Sequence, residues 1–119
     1  MQPILVIEDD AQFRETLRSV LEDEGWPVET ASDGQHALDQ SSRLKPALVV
    51  LDWGLPDIDS LVVATSLRTM HGGDIPILLI TGDGRPAEKA RQMGAFAYLH
   101  KPFELDDLID SVRRGLGNR

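Results

Sequence analysis

The feature that most limits the fold is a regular alternation of short apolar runs with segments of helical periodicity. Two of these runs, residues 47–51 and 75–80, are almost wholly apolar apart from Pro76. A strand buried on both faces has this composition, and such burial is typical of parallel sheets covered by helices. The pattern therefore predicts an α/β fold.

Five strands and five helices are predicted in alternation. The strands span residues 4–7, 28–31, 47–51, 75–80 and 95–99. The helices span residues 11–24, 34–43, 61–70, 86–93 and 104–116. Asp33 is a candidate N-cap of the second helix, and Asp59 or Ser60 of the third, because a short polar side chain can accept from a free N–H of the first turn. Asp10 fits a helix cap or a solvated loop position as well as a site residue.

These β-α units predict one domain, residues 1–119, with a five-stranded parallel sheet in the order 2-1-3-4-5 flanked by five helices. Right-handed crossovers leave few other topologies, and this order is that of the flavodoxin-like doubly wound fold. Strands 1 and 3 are then neighbours at a switch point. Ligands in such folds bind beyond the carboxyl ends of the strands at that point.

Charge and composition limit the possible partners. The chain carries 20 acidic residues against 12 Lys and Arg, a net charge of −8, which argues against direct nucleic-acid binding because phosphate binding needs a basic surface. No apolar run reaches the roughly 18 residues that span a membrane, and the first residues do not resemble a signal peptide. Cysteine is absent, which excludes disulfides and thiolate metal sites. We expect a cytoplasmic domain with no membrane contact.

Acidic side chains follow the first and third predicted strands. Glu8 and Asp9 follow strand 1 and Asp52 follows strand 3, so the predicted order brings all three to the switch point. Three carboxylates there repel one another and lose solvation, which is costly unless a cation neutralises them. Oxygen ligands suit Mg²⁺, which also takes waters and phosphate oxygens. The sequence therefore predicts an Mg²⁺ site that a phosphoryl group completes.

A hydroxyl and an ammonium leave the same edge of the predicted sheet. Thr81 follows strand 4 and Lys101 follows strand 5. Lys101 can pair with a carboxylate at rest and with a phosphoryl oxygen later, and Thr81 can donate one hydrogen bond to the same group. Phosphoryl transfer needs mainly positioning and charge neutralisation. Asp52 is therefore predicted to act as a nucleophile that forms an aspartyl phosphate.

Five motifs, in order and at ordinary spacing, resemble those of the receiver domains of two-component response regulators. The acidic pair lies in VIEDD (6–10), the phosphoacceptor loop in DWGLP (52–56) and the switch hydroxyl in ITG (80–82). The switch aromatic and the Lys-Pro motif both lie in GAFAYLHKPF (94–103). Each motif alone is weak evidence for this family, but together the five motifs cover essentially the whole chain.

The resemblance implies a metal-dependent phosphoacceptor. Asp52 would accept a phosphoryl group from a histidine kinase or from a His-containing phosphotransfer protein. Glu8, Asp9, Asp52 and the backbone carbonyl of Gly54 would hold Mg²⁺. The domain would catalyse only its own phosphorylation and dephosphorylation, so it is expected to be a signalling domain and not an enzyme.

The resemblance also implies a conformational readout. Thr81 and Lys101 would bind the phosphoryl oxygens, and Tyr98 would swing inward as Thr81 moves. This motion would reshape the face formed by helix 4, strand 5 and helix 5. The output would be a partner protein, a homodimer or an effector domain outside this chain. The Lys101–Pro102 bond is expected to be cis, as in the family.

Several positions depart from the family pattern. Ser60 stands where receivers commonly have a glycine, so the loop from Asp57 to Ser60 is expected to be shaped differently, because glycine permits positive φ. Gly82 replaces the more frequent alanine after the switch hydroxyl. Gly54 and Asp83 occupy the two variable positions that help set the lifetime of the aspartyl phosphate in this family.

Two other functional classes compete with a phosphorylation-dependent switch. An Mg²⁺-dependent phosphohydrolase of similar fold carries a general acid two residues after its nucleophile, where this chain has Gly54. A flavodoxin-like module that binds a nucleotide or flavin would need a phosphate-binding loop after strand 1, where Glu8, Asp9 and Asp10 would repel the ligand. A receiver that has lost its chemistry is disfavoured because every chemical position is filled.

The remaining aromatic and imidazole groups receive structural interpretations. Trp53 is predicted to be a loop aromatic that packs beside the site with no catalytic role. His36, His71 and His100 have no partners at ligand spacing and are predicted to be surface residues.

Overall fold

The computed structural model describes residues 1–117 and contains all ten predicted elements in the predicted order. The strands are β1 (Ile4–Ile7), β2 (Val28–Ala31), β3 (Leu48–Asp52), β4 (Ile77–Thr81) and β5 (Ala97–His100). The helices are α1 (Ala11–Asp23), α2 (Gly34–Ser41), α3 (Ser60–His71), α4 (Pro86–Met93) and α5 (Leu105–Gly115).

The strands form one parallel sheet in the order β2-β1-β3-β4-β5, which confirms the predicted topology. Alternate residues of β1 serve opposite cores, as the period of a strand requires. Ile4 and Val6 pack with α1 and α5, whereas Leu5 and Ile7 pack with α2, α3 and α4. Both faces of the central strands are therefore covered, which explains their apolar composition.

The predicted ends of three strands were wrong by one or two residues. The predicted β4 began at residue 75, but Pro76 lacks an N–H to donate, and the strand begins at Ile77. The predicted β5 began at Ala95, whose N–H instead donates to the Ala90 carbonyl at the end of α4. β3 and β4 also extend one residue further than predicted, so Asp52 and Thr81 are the last residues of their strands.

Helix boundaries were predicted to within two residues, and the start of α3 decides between its two candidate caps. The Asp59 side chain accepts from the Leu61 N–H at 2.8 Å, and Ser60 is the first helical residue. Asp33 caps α2, as predicted, by accepting from the His36 N–H. Asp10 is also a cap, since it accepts from the Phe13 N–H at 2.9 Å.

Two of the three histidines are exposed as predicted, but His71 was misjudged. Its Nε2 lies 2.7 Å from the Ser41 carbonyl oxygen and joins the last turns of α3 and α2. Trp53 is half-buried against the core, in agreement with its predicted packing role. No helix within residues 1–117 has both the length and the apolarity needed to cross a bilayer.

Candidate functional site at the carboxyl edge of the sheet

The predicted site residues lie where the strands end, because all five strands point the same way. Asp52 and Thr81 terminate β3 and β4, and Glu8 and Lys101 directly follow β1 and β5. The pairing of β3 with β4 places Asp52 opposite Ile80, next to Thr81. Glu8, Asp52 and Thr81 are buried, and Asp9 is exposed at the rim.

The three predicted metal ligands converge. Oxygen atoms of Glu8, Asp9 and Asp52 all lie within 4.8 Å of one another. Ligands of one Mg²⁺ lie at about 2.1 Å from the ion, so two of them are at most about 4.2 Å apart. The three carboxylates therefore need only a small adjustment to share one ion, and their chemistry fits Mg²⁺.

The Lys101 ammonium bridges two of these acids. Its Nζ lies 3.0 Å from Glu8 Oε1 and 3.1 Å from Asp52 Oδ1. The same nitrogen lies 5.1 Å from the centre of the Phe13 ring, a cation–π distance. One ammonium faces three carboxyl groups, so the cluster retains affinity for a further cation.

Burial perturbs the ionisation of the cluster. Desolvation raises the pKa of Glu8 to about 7, although the Asp10 N–H and Lys101 both favour its charged form. Desolvation also raises the pKa of Asp52, against the opposing effect of Lys101. Burial disfavours the Lys101 ammonium, but its two acidic partners outweigh that effect and raise its pKa. A protonated Glu8 thus relieves part of the repulsion near neutral pH.

The two predicted switch residues are placed differently. The Thr81 hydroxyl oxygen is buried and accepts from the Asp83 N–H at 3.0 Å, which ties it to the loop before α4. Tyr98 lies outside the carboxylate cluster, on β5, with 42% of its surface exposed. The Lys101–Pro102 bond is cis, as the family resemblance implied.

The loop after β3 holds a contact that the sequence did not reveal. The buried Ser60 hydroxyl lies 2.6 Å from the Asp52 carbonyl oxygen and 2.7 Å from that of Trp53. Among residues 1–117 the one non-glycine residue with positive φ is Arg85, so Ser60 needs no glycine-like backbone. The Ser60 hydroxyl joins the two ends of this loop, a contact that a glycine at this position could not make.

The same loop is anchored to α2. The Asp57 carboxylate accepts from the N–H groups of Gly34 and Gln35, both at 2.9 Å, at the start of that helix. These bonds favour the charged carboxylate and lower the pKa of Asp57. An acid two residues before a helix cap signals only local structure, so this contact between distant segments could not be found from the sequence.

Helix α4 reaches the loop after β3 through a contact between Lys89 and Trp53. The Lys89 ammonium lies 5.3 Å from the centre of the Trp53 ring and donates to the Gly84 carbonyl. α4 therefore contacts Trp53, the residue next to Asp52. The bond between Thr81 and Asp83 is a second connection, between the end of β4 and the loop before α4.

Comparisons with known proteins show the family to which the chain belongs. The family model for the response regulator receiver domain matches residues 4–113. The response regulator MprA of Mycolicibacterium vanbaalenii is 42% identical over 112 residues, which are 92% of this chain and 48% of that protein. The chain thus spans about half the length of the curated relatives it matches.

Solved structures show the same fold. A response regulator of Chloroflexus aurantiacus has a TM-score of 0.89 at 32% identity, with 98% of each chain covered. The chemotaxis protein CheY4 of Vibrio cholerae has a TM-score of 0.87 at 27% identity, covering 96% of this chain and 98% of its own.

Proposed function

The chain belongs to the receiver domain family of two-component response regulators, and on that premise we propose that Asp52 accepts a phosphoryl group in an Mg²⁺-dependent reaction. The donor would be a phosphohistidine of a histidine kinase or of a His-containing phosphotransfer protein. The observation that carries the proposal is the half-buried Lys101 ammonium, which bridges the buried acids Asp52 and Glu8 beside the exposed carboxylate of Asp9.

In the transfer, one carboxylate oxygen of Asp52 attacks phosphorus, and the bond from phosphorus to the donor imidazole nitrogen breaks. The released imidazole takes up a proton. Lys101 exchanges its bond to Asp52 for one to a phosphoryl oxygen, so its charge stays paired throughout. An Mg²⁺ ion held by Glu8, Asp9, Asp52 and the Gly54 carbonyl would supply the positive charge that lowers the repulsion between the incoming phosphoryl group and the carboxylates.

The readout would begin at Thr81. Its hydroxyl can donate to a phosphoryl oxygen while it remains linked to Asp83, so a movement of Thr81 pulls the loop before α4. Tyr98, exposed at present, would turn inward and change the surface formed by α4, β5 and α5. The phosphoryl group thereby shifts a pre-existing equilibrium between two arrangements of this face.

The biological output would be control of a partner, a homodimer or an effector domain in a longer protein, with residues 1–119 as a single receiver unit. The domain would act on no substrate other than its own aspartate, and the proposal assigns it no contact with nucleic acid or membrane. A cytoplasmic location follows from the proposed donor.

The proposal is tested by incubating the domain with acetyl phosphate and Mg²⁺ and measuring its intact mass. We expect the wild type to gain one phosphoryl group, and Asp52→Asn to gain none. The exposed Asp110 on α5 supplies a matched control, and Asp110→Asn should behave as the wild type does. Uptake by Asp52→Asn at the wild-type level would overturn the proposal.

A further inference from the structure

Two consecutive peptide groups at the end of β3 determine where the Asp52 carboxylate and the Gly54 backbone lie. A trans peptide is planar, with its N–H and its carbonyl on opposite sides. If both groups of such a plane are bonded, the plane cannot rotate. The peptide between Asp52 and Trp53 is held in this way, and the peptide between Trp53 and Gly54 is held at its carbonyl.

The first peptide is fixed between β4 and Ser60. The Trp53 N–H donates to the Ile80 carbonyl at 2.9 Å, which continues the sheet ladder by one bond. On the opposite side, the Asp52 carbonyl faces the Ser60 hydroxyl at 2.6 Å. The bond to β4 on one side and the bond to Ser60 on the other therefore fix the plane of the first peptide.

The second peptide is held by Ser60 at its carbonyl and turns its N–H toward the acceptor carboxylate. The Trp53 carbonyl lies 2.7 Å from the Ser60 hydroxyl. The Gly54 N–H, on the other side of this plane, faces the Asp52 carboxylate and favours its charged form. The Ser60 hydroxyl, eight residues along the chain from Asp52, thus orients the Gly54 N–H that faces the Asp52 carboxylate.

A hydroxyl has a single hydrogen, so Ser60 shares it between the two carbonyls or alternates between them. Both distances are within the range of O–H···O hydrogen bonds. Ser60 is buried, so water has little access to its hydroxyl. Ser60 is also the first residue of α3, and Asp59 caps that helix. The position of the Ser60 side chain is therefore fixed by the helix.

We propose that Ser60 is a positioning residue for phosphoryl transfer, whose hydroxyl fixes the two peptide planes after Asp52 and thereby places the acceptor carboxylate and the Gly54 carbonyl for Mg²⁺. The part of the inference that concerns phosphoryl transfer rests on the proposed function. The part that concerns Mg²⁺ is tested by metal binding, which is measured without any phosphoryl transfer.

The test compares Ser60→Ala with Ser41→Ala. Ser41 is as buried as Ser60, but within the described residues its hydroxyl oxygen has no hydrogen-bond partner. All variants carry Trp26→Phe, so that the fluorescence of Trp53 alone reports Mg²⁺ binding. The dissociation constant of Mg²⁺, the rate of phosphorylation by acetyl phosphate at saturating Mg²⁺, and the urea midpoint are then measured for each protein.

We expect Ser60→Ala to weaken Mg²⁺ binding about tenfold and to slow phosphorylation at saturating Mg²⁺ about tenfold, the usual range for a residue that orients a ligand. Ser41→Ala should leave both quantities within twofold of the wild type. Ser60→Gly removes the same hydroxyl and should show the same two losses, which guards against a defect specific to alanine.

A purely structural role gives a different pattern. If either Ser60 variant lowers the urea midpoint but keeps Mg²⁺ affinity and phosphorylation rate within twofold of the wild type, the inference is wrong. Equal losses in Ser41→Ala would also overturn it. A wild-type domain that binds Mg²⁺ but accepts no phosphoryl group would contradict the proposed function, and the Mg²⁺ titration would still decide the role of Ser60.

Discussion

Two cations of this fold make almost the same set of contacts in very different surroundings. Lys101 pairs with Glu8 and Asp52 at 3.0 and 3.1 Å and lies over the ring of Phe13. Arg113 on α5 pairs with Glu24 at 2.8 Å and approaches Asp110 at 3.8 Å. Its guanidinium lies 5.7 Å from the centre of the Trp26 ring. Each cation thus has two acids and one aromatic ring.

The difference is the exposure of the acids. The side chains of Glu8 and Asp52 are 1% and 6% exposed, whereas those of Glu24 and Asp110 are 32% and 70% exposed. Water screens the charges around Arg113, and such surface pairs contribute little. The two acids that pair with Lys101 are shielded from water, so each charge there affects its neighbours more strongly than around Arg113. Burial, and not the list of contacts, makes one cluster a candidate site.

The largest expected difference between the two clusters is in phosphoryl transfer. Lys101→Ala removes the ammonium that would donate a hydrogen bond to a phosphoryl oxygen. Loss of one such preorganised donor slows a reaction by about a hundredfold or more. Arg113→Ala should leave the rate within twofold of the wild type. Single-turnover phosphorylation with acetyl phosphate measures both rates. Equal rates in the two variants would remove the distinction between the clusters.

The next largest effect is the pH dependence of stability without metal. The pKa of Glu8 rises from 4.5 in the unfolded chain to about 7 in the fold, so between these values the folded state binds more protons. The unfolding free energy should therefore fall as pH rises from about 4.5 to 7, by up to about 3 kcal/mol for this carboxyl. Asp52 contributes in the same direction.

Urea unfolding in a chelator, at several pH values, measures this decline. The Glu8→Gln variant has no titrating group at this position. Its unfolding free energy should therefore depend on pH much less than that of the wild type. Mg²⁺ binding displaces the proton, so added Mg²⁺ should stabilise the wild type more at pH 8 than at pH 5. A metal-free domain whose stability rises steadily from pH 5 to 8 would contradict the assigned ionisation.

The smallest expected effect belongs to the exposed cluster. Arg113→Ala should lower the unfolding free energy by about 1 kcal/mol or less, including the loss of packing on Trp26. High salt screens exposed pairs, so the difference from the wild type should shrink at about 1 M NaCl. Urea unfolding at low and high salt tests this expectation. A loss of several kcal/mol that resists salt would show that the Arg113 cluster is not merely a surface feature.

The sequence was sufficient to predict the sheet order, because its uninterrupted apolar strands and short connections admit few topologies. It also placed Glu8, Asp9 and Asp52 at one edge, since parallel strands end together. The errors at the strand ends have local causes. Pro76 cannot enter the ladder on its N–H side, and the N–H of Ala95 is used by the end of α4.

The contacts of Ser60 and Asp57 could not be predicted in the same way. Both are polar residues near a helix start, where capping is the ordinary role. Ser60 instead turns back to the Asp52 and Trp53 carbonyls, and Asp57 reaches the N-terminus of α2. These bonds depend on the path of the loop in three dimensions. The periodicity of apolar residues predicts helices and strands, but it does not predict the path of a loop. The exposure of Tyr98 likewise depends on the packing of α5 beside β5.

The most direct test of the account is the location of the phosphoryl group. The wild-type domain is treated with acetyl phosphate and Mg²⁺, cleaved with a protease, and its peptides are analysed by tandem mass spectrometry after the acyl phosphate is trapped by borohydride reduction. We expect a single modified residue, Asp52, and no modification when Mg²⁺ is chelated. Modification at a histidine or at another carboxylate, with Asp52 unchanged, would contradict it.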